Sequence, residues 1–170
     1  MFRSSMQFIK QKELWLKGHN LLAEKKFKEA EKILVNALQE KDWHPIHRHF
    51  IYNELIDLYY RLRDERKDAL DKCIYYCKED IQTLPEFMRN WREEYPNDIN
   101  LPLCPSLVRL AIIRENRGEL IEAIDVCKNA IALGLQDGTQ AGFEGRLAKL
   151  EKKKAKTQDK RSLPFGNPQT

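Results

Sequence analysis

Three segments of the chain carry one pattern: FKEAEKILVNAL at 27–38, RKDALDKCIYYC at 66–77 and LIEAIDVCKNAI at 120–131. Each sets an acidic residue ahead of an alanine and then spaces apolar residues as one helical face requires. Such self-similarity constrains a fold more than any single motif, because a lone amphipathic helical pair cannot bury its apolar face and must stack on a neighbour. The aligned alanines, Ala30, Ala69 and Ala123, stand 39 and 54 residues apart. Unequal spacing reads as one unit repeated with two insertions. The first is Pro45–His49 and the second spans 84–103, both between units, where loops tolerate extra residues.

Within a unit the residues ask for two antiparallel helices that approach closely. Leu14, Gly18 and Leu21 are followed by Ala30, Leu34 and Ala37; Leu107, Leu110 and Ala111 are followed by Ala123, Cys127 and Ala130, with Gly118 in the turn. The middle unit departs, with Asp57 and Tyr76 where small residues are expected, although Ile56, Tyr60, Ala69 and Cys73 conform. This alternation of bulky and small positions resembles the tetratricopeptide family, whose period is about 34 residues. The resemblance implies an all-α, right-handed stack of three helical hairpins, at about 11–44, 50–83 and 104–137. The string DGTQAGFEGRLAKLEKK, from Asp137, is similar to the closing segment of small bacterial proteins of this family.

Two further helices are expected from spacing. Pro85 suits a first helical position, and Leu84, Met88, Trp91 and Tyr95 share one face, which predicts a short inserted helix over about 85–95. Asp137 or Thr139 can cap a closing helix over about 139–154, with Phe143, Leu147 and Leu150 inward and Gly142 and Gly145 allowing close approach to the third hairpin. One domain is thus expected over 1–155, and a disordered, basic and polar tail over 156–170.

In the tetratricopeptide family the first helices of successive hairpins line a concave groove that receives a peptide or partner helix. Carried over residue by residue, the resemblance places Lys12, Trp15, His19 and Leu22 there from the first hairpin. Glu54, Leu58 and Arg61 come from the second, and Val108, Ile112, Glu115 and Asn116 from the third. The family's carboxylate clamp of Lys and Asn is missing, since Trp15, His19, Glu54, Leu58, Val108 and Ile112 stand at those places. The implied function is a non-catalytic adaptor that binds another protein or peptide, anchored by Trp15 and Leu58. The N-terminal segment, the inserted helix or a second copy of the chain, making a homodimer, are the other occupants to expect.

Composition narrows the alternatives. Of a formal net charge of +4, the stretch from Lys149 to Arg161 holds seven basic residues against two acidic ones, so the rest is nearly balanced. A regulator touching nucleic acid weakly through that stretch is the alternative function; otherwise nucleic acid is not expected as a partner. No apolar run suits a membrane span or a signal peptide, so a cytoplasmic protein with no membrane partner is expected. Cys73, Cys77, Cys104 and Cys127 read as reduced, buried thiols. His44, His47 and His49 in HPIHRH read as a surface loop, and Arg109 and Arg146 as solvated or paired cations. There is no phosphate loop, nucleophile elbow or HExxH string, and no metal or cofactor is expected; the chain reads as no enzyme.

Overall fold

The computed structural model describes residues 2–39, 42–98 and 100–162. Among them are seven α-helices and no strand: α1 (Phe2–Ala23), α2 (Phe27–Leu38), α3 (Pro45–Arg61), α4 (Ala69–Glu94), α5 (Pro105–Asn116), α6 (Leu120–Ala132) and α7 (Gly142–Ser162). The all-α reading therefore holds. The chain divides into two compact units, Met1–Arg109 and Leu110–Thr170. Helix pairing gives the reason: α1 with α2 and α3 with α4 are closely packed in the first unit, and α6 with α7 in the second.

In the first unit α1 and α2 meet where glycine leaves room. A Cβ on Gly18 would lie 2.7 Å from Leu34 Cγ and closer still to its Cδ2, while Leu34 itself is fully buried. Ala30 and Ala37, one turn to either side of Leu34, are also buried. The turn between these helices closes with the Lys26 N–H on the Leu21 carbonyl at 2.9 Å and the Lys25 N–H on the Leu22 carbonyl at 3.0 Å. Lys25 takes the left-handed conformation, φ 59°, that this motif demands.

The α5–α6 turn repeats that geometry. Glu119 N–H meets the Arg114 carbonyl at 2.9 Å and Gly118 N–H meets the Glu115 carbonyl at 3.0 Å, with Gly118 at φ 76°. Lys25 and Gly118 each precede an aligned alanine by five residues. So the internal similarity extends to backbone conformation, with a lysine in a place that suits glycine.

Helices α3 and α4 depart from expectation. Pro45 occupies the first turn of α3, with His44 as N-cap, so the supposed loop insertion PIHRH is helix. Nor is there a separate inserted helix, because α4 runs unbroken for 26 residues through Pro85. Proline inside a helix removes one hydrogen bond and costs about 3 kcal/mol. Burial offsets it: Cys73, Cys77, Asp80, Leu84 and Phe87 continue one face of α4 across the proline, and all are buried. Fully burying a side chain such as Leu84 or Phe87 contributes about 1.5–3 kcal/mol.

A polar tie holds the outer side of this unit. Arg66 donates to both carboxylate oxygens of Glu31, at 2.6 and 3.0 Å, and the Tyr59 hydroxyl donates to the same carboxylate at 2.7 Å. The guanidinium holds the Glu31 carboxyl below its ordinary range.

In the second unit Ala123, Ile124, Cys127 and Ala130 are the buried face of α6, and Phe143 and Leu150 that of α7. Thr139 Oγ1 accepts the Gly142 N–H at 3.2 Å, and Asp137 Oδ1 accepts the Thr139 N–H at 2.9 Å, so both expected capping residues act in series. The two glycines serve the start of α7 itself. Gly142 has φ 60°, and a Cβ on it would lie 2.8 Å from Glu144 Oε2, while one on Gly145 would overlap the Ala141 methyl. Helix α7 also continues beyond the expected 154 to Ser162, as the helix-favouring residues Lys, Ala and Gln permit. The rest of the expected tail, 163–170, lies outside the described residues.

Two measurements check this account. Gly18→Ala should lower unfolding free energy by about 1–3 kcal/mol through overpacking against Leu34, and adding Leu34→Ala should cost less than the sum of the two single changes. Lys25→Gly should raise stability by about 0.5–1 kcal/mol, seen as a higher urea midpoint at unchanged slope.

Candidate protein-binding surface

The first unit carries a continuous row of aromatic rings across three helices. Trp15 of α1 stacks on Phe50 of α3 at 4.8 Å between centroids, Phe50 meets Trp91 of α4 edge-on at 6.2 Å, and Trp91 lies 4.3 Å from Tyr95. His19 extends the row beyond Trp15, at 6.4 Å. Trp15, Phe50 and Trp91 are half-buried, whereas Tyr95 is 41% exposed. The extension of α4 past Pro85 is what brings Trp91 and Tyr95 into this row.

Glu54 orders one end of it. Its Oε1 accepts the Trp15 indole N–H at 3.3 Å and a hydrogen bond from His19 Nδ1 at 2.9 Å. A carboxylate only accepts, so the proton of that second bond resides on Nδ1. The acid expected to face a ligand is thus engaged by its own neighbours.

The expected groove residues separate into three kinds. Leu22 and Leu58 are 2% and 0% exposed, so neither presents a surface and Leu58 cannot act as an anchor. Both belong to the apolar core that joins the helices. Lys12, Trp15, His19, Glu54 and Arg61 retain some exposure on the first unit, although Arg61 pairs with Asp57 at 2.7 Å. Val108 lies half-buried in the same unit; Ile112, Glu115 and Asn116 belong to the second, where Glu115 accepts from Lys153 at 3.0 Å. Phe50, Trp91 and Tyr95 were missed. Their signal was present, since Trp91 and Tyr95 share a face with Leu84 and Met88, but an inserted helix gave no reason to join that face to Trp15.

Beneath the row sits a polar pair whose histidine sequence reading placed on the surface. His49 Nδ1 lies 2.7 Å from Asp80 Oδ1, with both side chains fully buried, and His49 Nε2 lies 3.0 Å from the Asn53 amide. The His49 ring also stacks on Phe87 at 3.9 Å. His47 is buried too, and burial pushes its imidazole down to about 4, leaving it neutral near pH 7. The first turns of α3 therefore face inward. The helix start signalled by Pro45 carries His47 and His49 into the fold, where a loop would have exposed them.

Other reactive groups are quiet. Cys73, Cys77, Cys104 and Cys127 are free and buried, and burial pushes the Cys104 thiol up to about 12 and the Cys127 thiol up to about 11. The Cys77 thiol is also pushed up, by its neighbour Cys73 and by burial. These three raised thiols are poor nucleophiles and poor ligands, while the Cys73 thiol, held below its ordinary value by its contact with Cys77, is fully buried. Arg109 stacks over the Tyr60 ring at 4.2 Å, and Arg146 lies 3.5 Å from Asp137 beside a cavity of about 370 Å³. Among the described residues no group of three or more His, Cys, Asp or Glu is placed to hold a metal ion, and no helix is long and apolar enough to cross a membrane.

Compared with protein-family models, with curated proteins and with solved structures, the chain finds no match in any of the three.

The buried pair generates a stability test. Asp80→Ala leaves His49 without its acceptor in a dry setting and should cost about 3–5 kcal/mol in urea unfolding, whereas the apolar double change His49→Phe, Asp80→Leu should cost markedly less.

Proposed function

We propose that the chain is a tetratricopeptide-type interaction module without catalysis of its own, which binds another protein or peptide across the row Trp15–Phe50–Trp91–Tyr95. The single observation that carries this reading is the row itself: large, partly exposed rings in contact, held on three packed helices. Rings of this type dominate binding energy where a partner desolvates them, and their fixed positions spare the partner most of the ordering entropy. His19 and Lys12, both exposed, supply a polar rim next to Trp15. The family reading rests on the repeated pattern and on the turn geometry shared by Lys25 and Gly118. The burial of all four thiols supports the reading of a chain without nucleophilic chemistry.

The reading is tested by selecting binders from a random peptide display library against the whole chain, then measuring their affinity for variants. Tyr95→Ala and Trp15→Ala should each weaken the selected peptides about 10- to 30-fold, the equivalent of about 1.4–2 kcal/mol, while circular dichroism stays unchanged. Peptides that bind both variants as tightly as the unaltered chain would place the docking site elsewhere and refute the assignment.

A further inference from the structure

The outer side of α7 carries charge of one sign. Arg146, Lys149, Lys152, Lys153 and Lys156 recur every three or four residues, so they share about 120° of the helix circumference at 3.6 residues per turn. Between 146 and 156 no other residue falls within that arc. By the same spacing Glu144 and Glu151 fall on the far side, while Phe143 and Leu150 belong to the buried side that packs on α6. The basic stretch is therefore an ordered face, about 15 Å long from 146 to 156 at 1.5 Å per residue.

These cations have little within the fold to hold. Lys149, Lys152 and Lys156 are exposed, and no described acidic side chain pairs with them. Lys153 reaches Glu115 at 3.0 Å, but both side chains are open to water, which screens such a pair and lets it exchange. Arg146 is the least satisfied. Its Nη2 lies 3.5 Å from Asp137, the limit of a hydrogen bond, and its buried Nε has no acceptor. With Lys149, Thr139 and Gln140 it lines the cavity of about 370 Å³ at the head of the face. Asp137 and Glu115 border that cavity too, and both are engaged, Asp137 by Thr139 and Glu115 by Lys153.

Charge, and what the face lacks, decide the occupant. Duplex DNA presents one negative charge per about 1.7 Å of its axis, so a row of cations laid along it releases many condensed counterions. Among the described residues of α7 no large apolar side chain is exposed, which leaves nothing to bury in lipid and no ring on which an unpaired base would stack. The B-form major groove admits an α-helix, whereas that of A-form RNA is too narrow for side chains to read. We infer that the outer face of α7 binds double-stranded DNA through its phosphates, without reading sequence. Arg146 and Lys149 receive one phosphate at the cavity, and Lys152, Lys153 and Lys156 receive those that follow. So few contacts give a Kd on the order of 10–100 μM at physiological salt. The inference concerns the second unit and does not depend on the function proposed for the aromatic row.

Fluorescence anisotropy of a labelled duplex of about 20 base pairs, titrated with the full chain at about 50 to 200 mM salt, tests the inference. The logarithm of affinity should fall with that of salt at a slope of about −4. The triple change Lys149→Gln, Lys152→Gln, Lys156→Gln should weaken binding at least about tenfold and bring the slope to between about −1 and −2. Circular dichroism should stay unchanged, since all three side chains are exposed. Arg146→Gln alone should reduce the slope by about 1. An equal loss of charge on the first unit, by Lys28→Gln, Lys32→Gln, Lys67→Gln, should leave affinity within about twofold, because those exposed lysines lie outside the face. A single strand of the same length should bind at least about threefold more weakly. No binding at the lowest salt overturns the proposal, as does an α7 triple variant with unaltered affinity or a first-unit triple variant as weak as it. Equal or tighter binding to the single strand, to poly-glutamate or to phosphatidylserine vesicles assigns the face to another partner and likewise overturns it.

Discussion

The close approach of helices where one side chain is missing underlies the first unit. Leu34 fills the space that any side chain at position 18 would need, and Ala30 and Ala37 flank it on the buried face of α2. Interiors pack as densely as crystals of small organic molecules, so a crossing of this kind sets helix position to within a methyl group. Trp15 lies one turn from Gly18 on the same helix. Its reach to Phe50 and Glu54 therefore depends on the depth at which α1 sits.

A second constraint shapes α3 and α4. Asp80 and His49 are polar groups without exposure, and their 2.7 Å contact has to form for either to be tolerated inside. That contact ties the first turns of α3 to the middle of α4. Phe87, stacked on the His49 ring, then seats the part of α4 beyond Pro85 against the same helix. The proline marks no boundary because the helical turns beyond it are held laterally by buried side chains, and a missing backbone bond is a small loss beside them.

Surface chemistry depends on these placements. One surface is a row of rings braced from beneath by Phe87 and His49; the other is the basic face of α7, set outward by Phe143 and Leu150 on the buried side of that helix. Rigidity is common to both, and it comes from interior contacts that neither surface displays.

Much of this was legible in residue order alone. The repeated alanines and helical periodicity determined an all-α chain, located α2, α5 and α6 closely, and implied the Gly18–Leu34 approach, because these are local patterns that each helix satisfies by itself. The left-handed turn at Gly118 was equally readable; its counterpart at Lys25 was not, since lysine gives no sign that its backbone must adopt φ 59°. Only tertiary structure decided that α4 passes through Pro85, that His47 and His49 are buried and that Leu58 is core. It alone joined Trp15 to Phe50, Trp91 and Tyr95. Each of those outcomes rests on contacts between residues distant in the chain, where burial against a partner outweighs local preference, and a linear pattern holds no record of the partner.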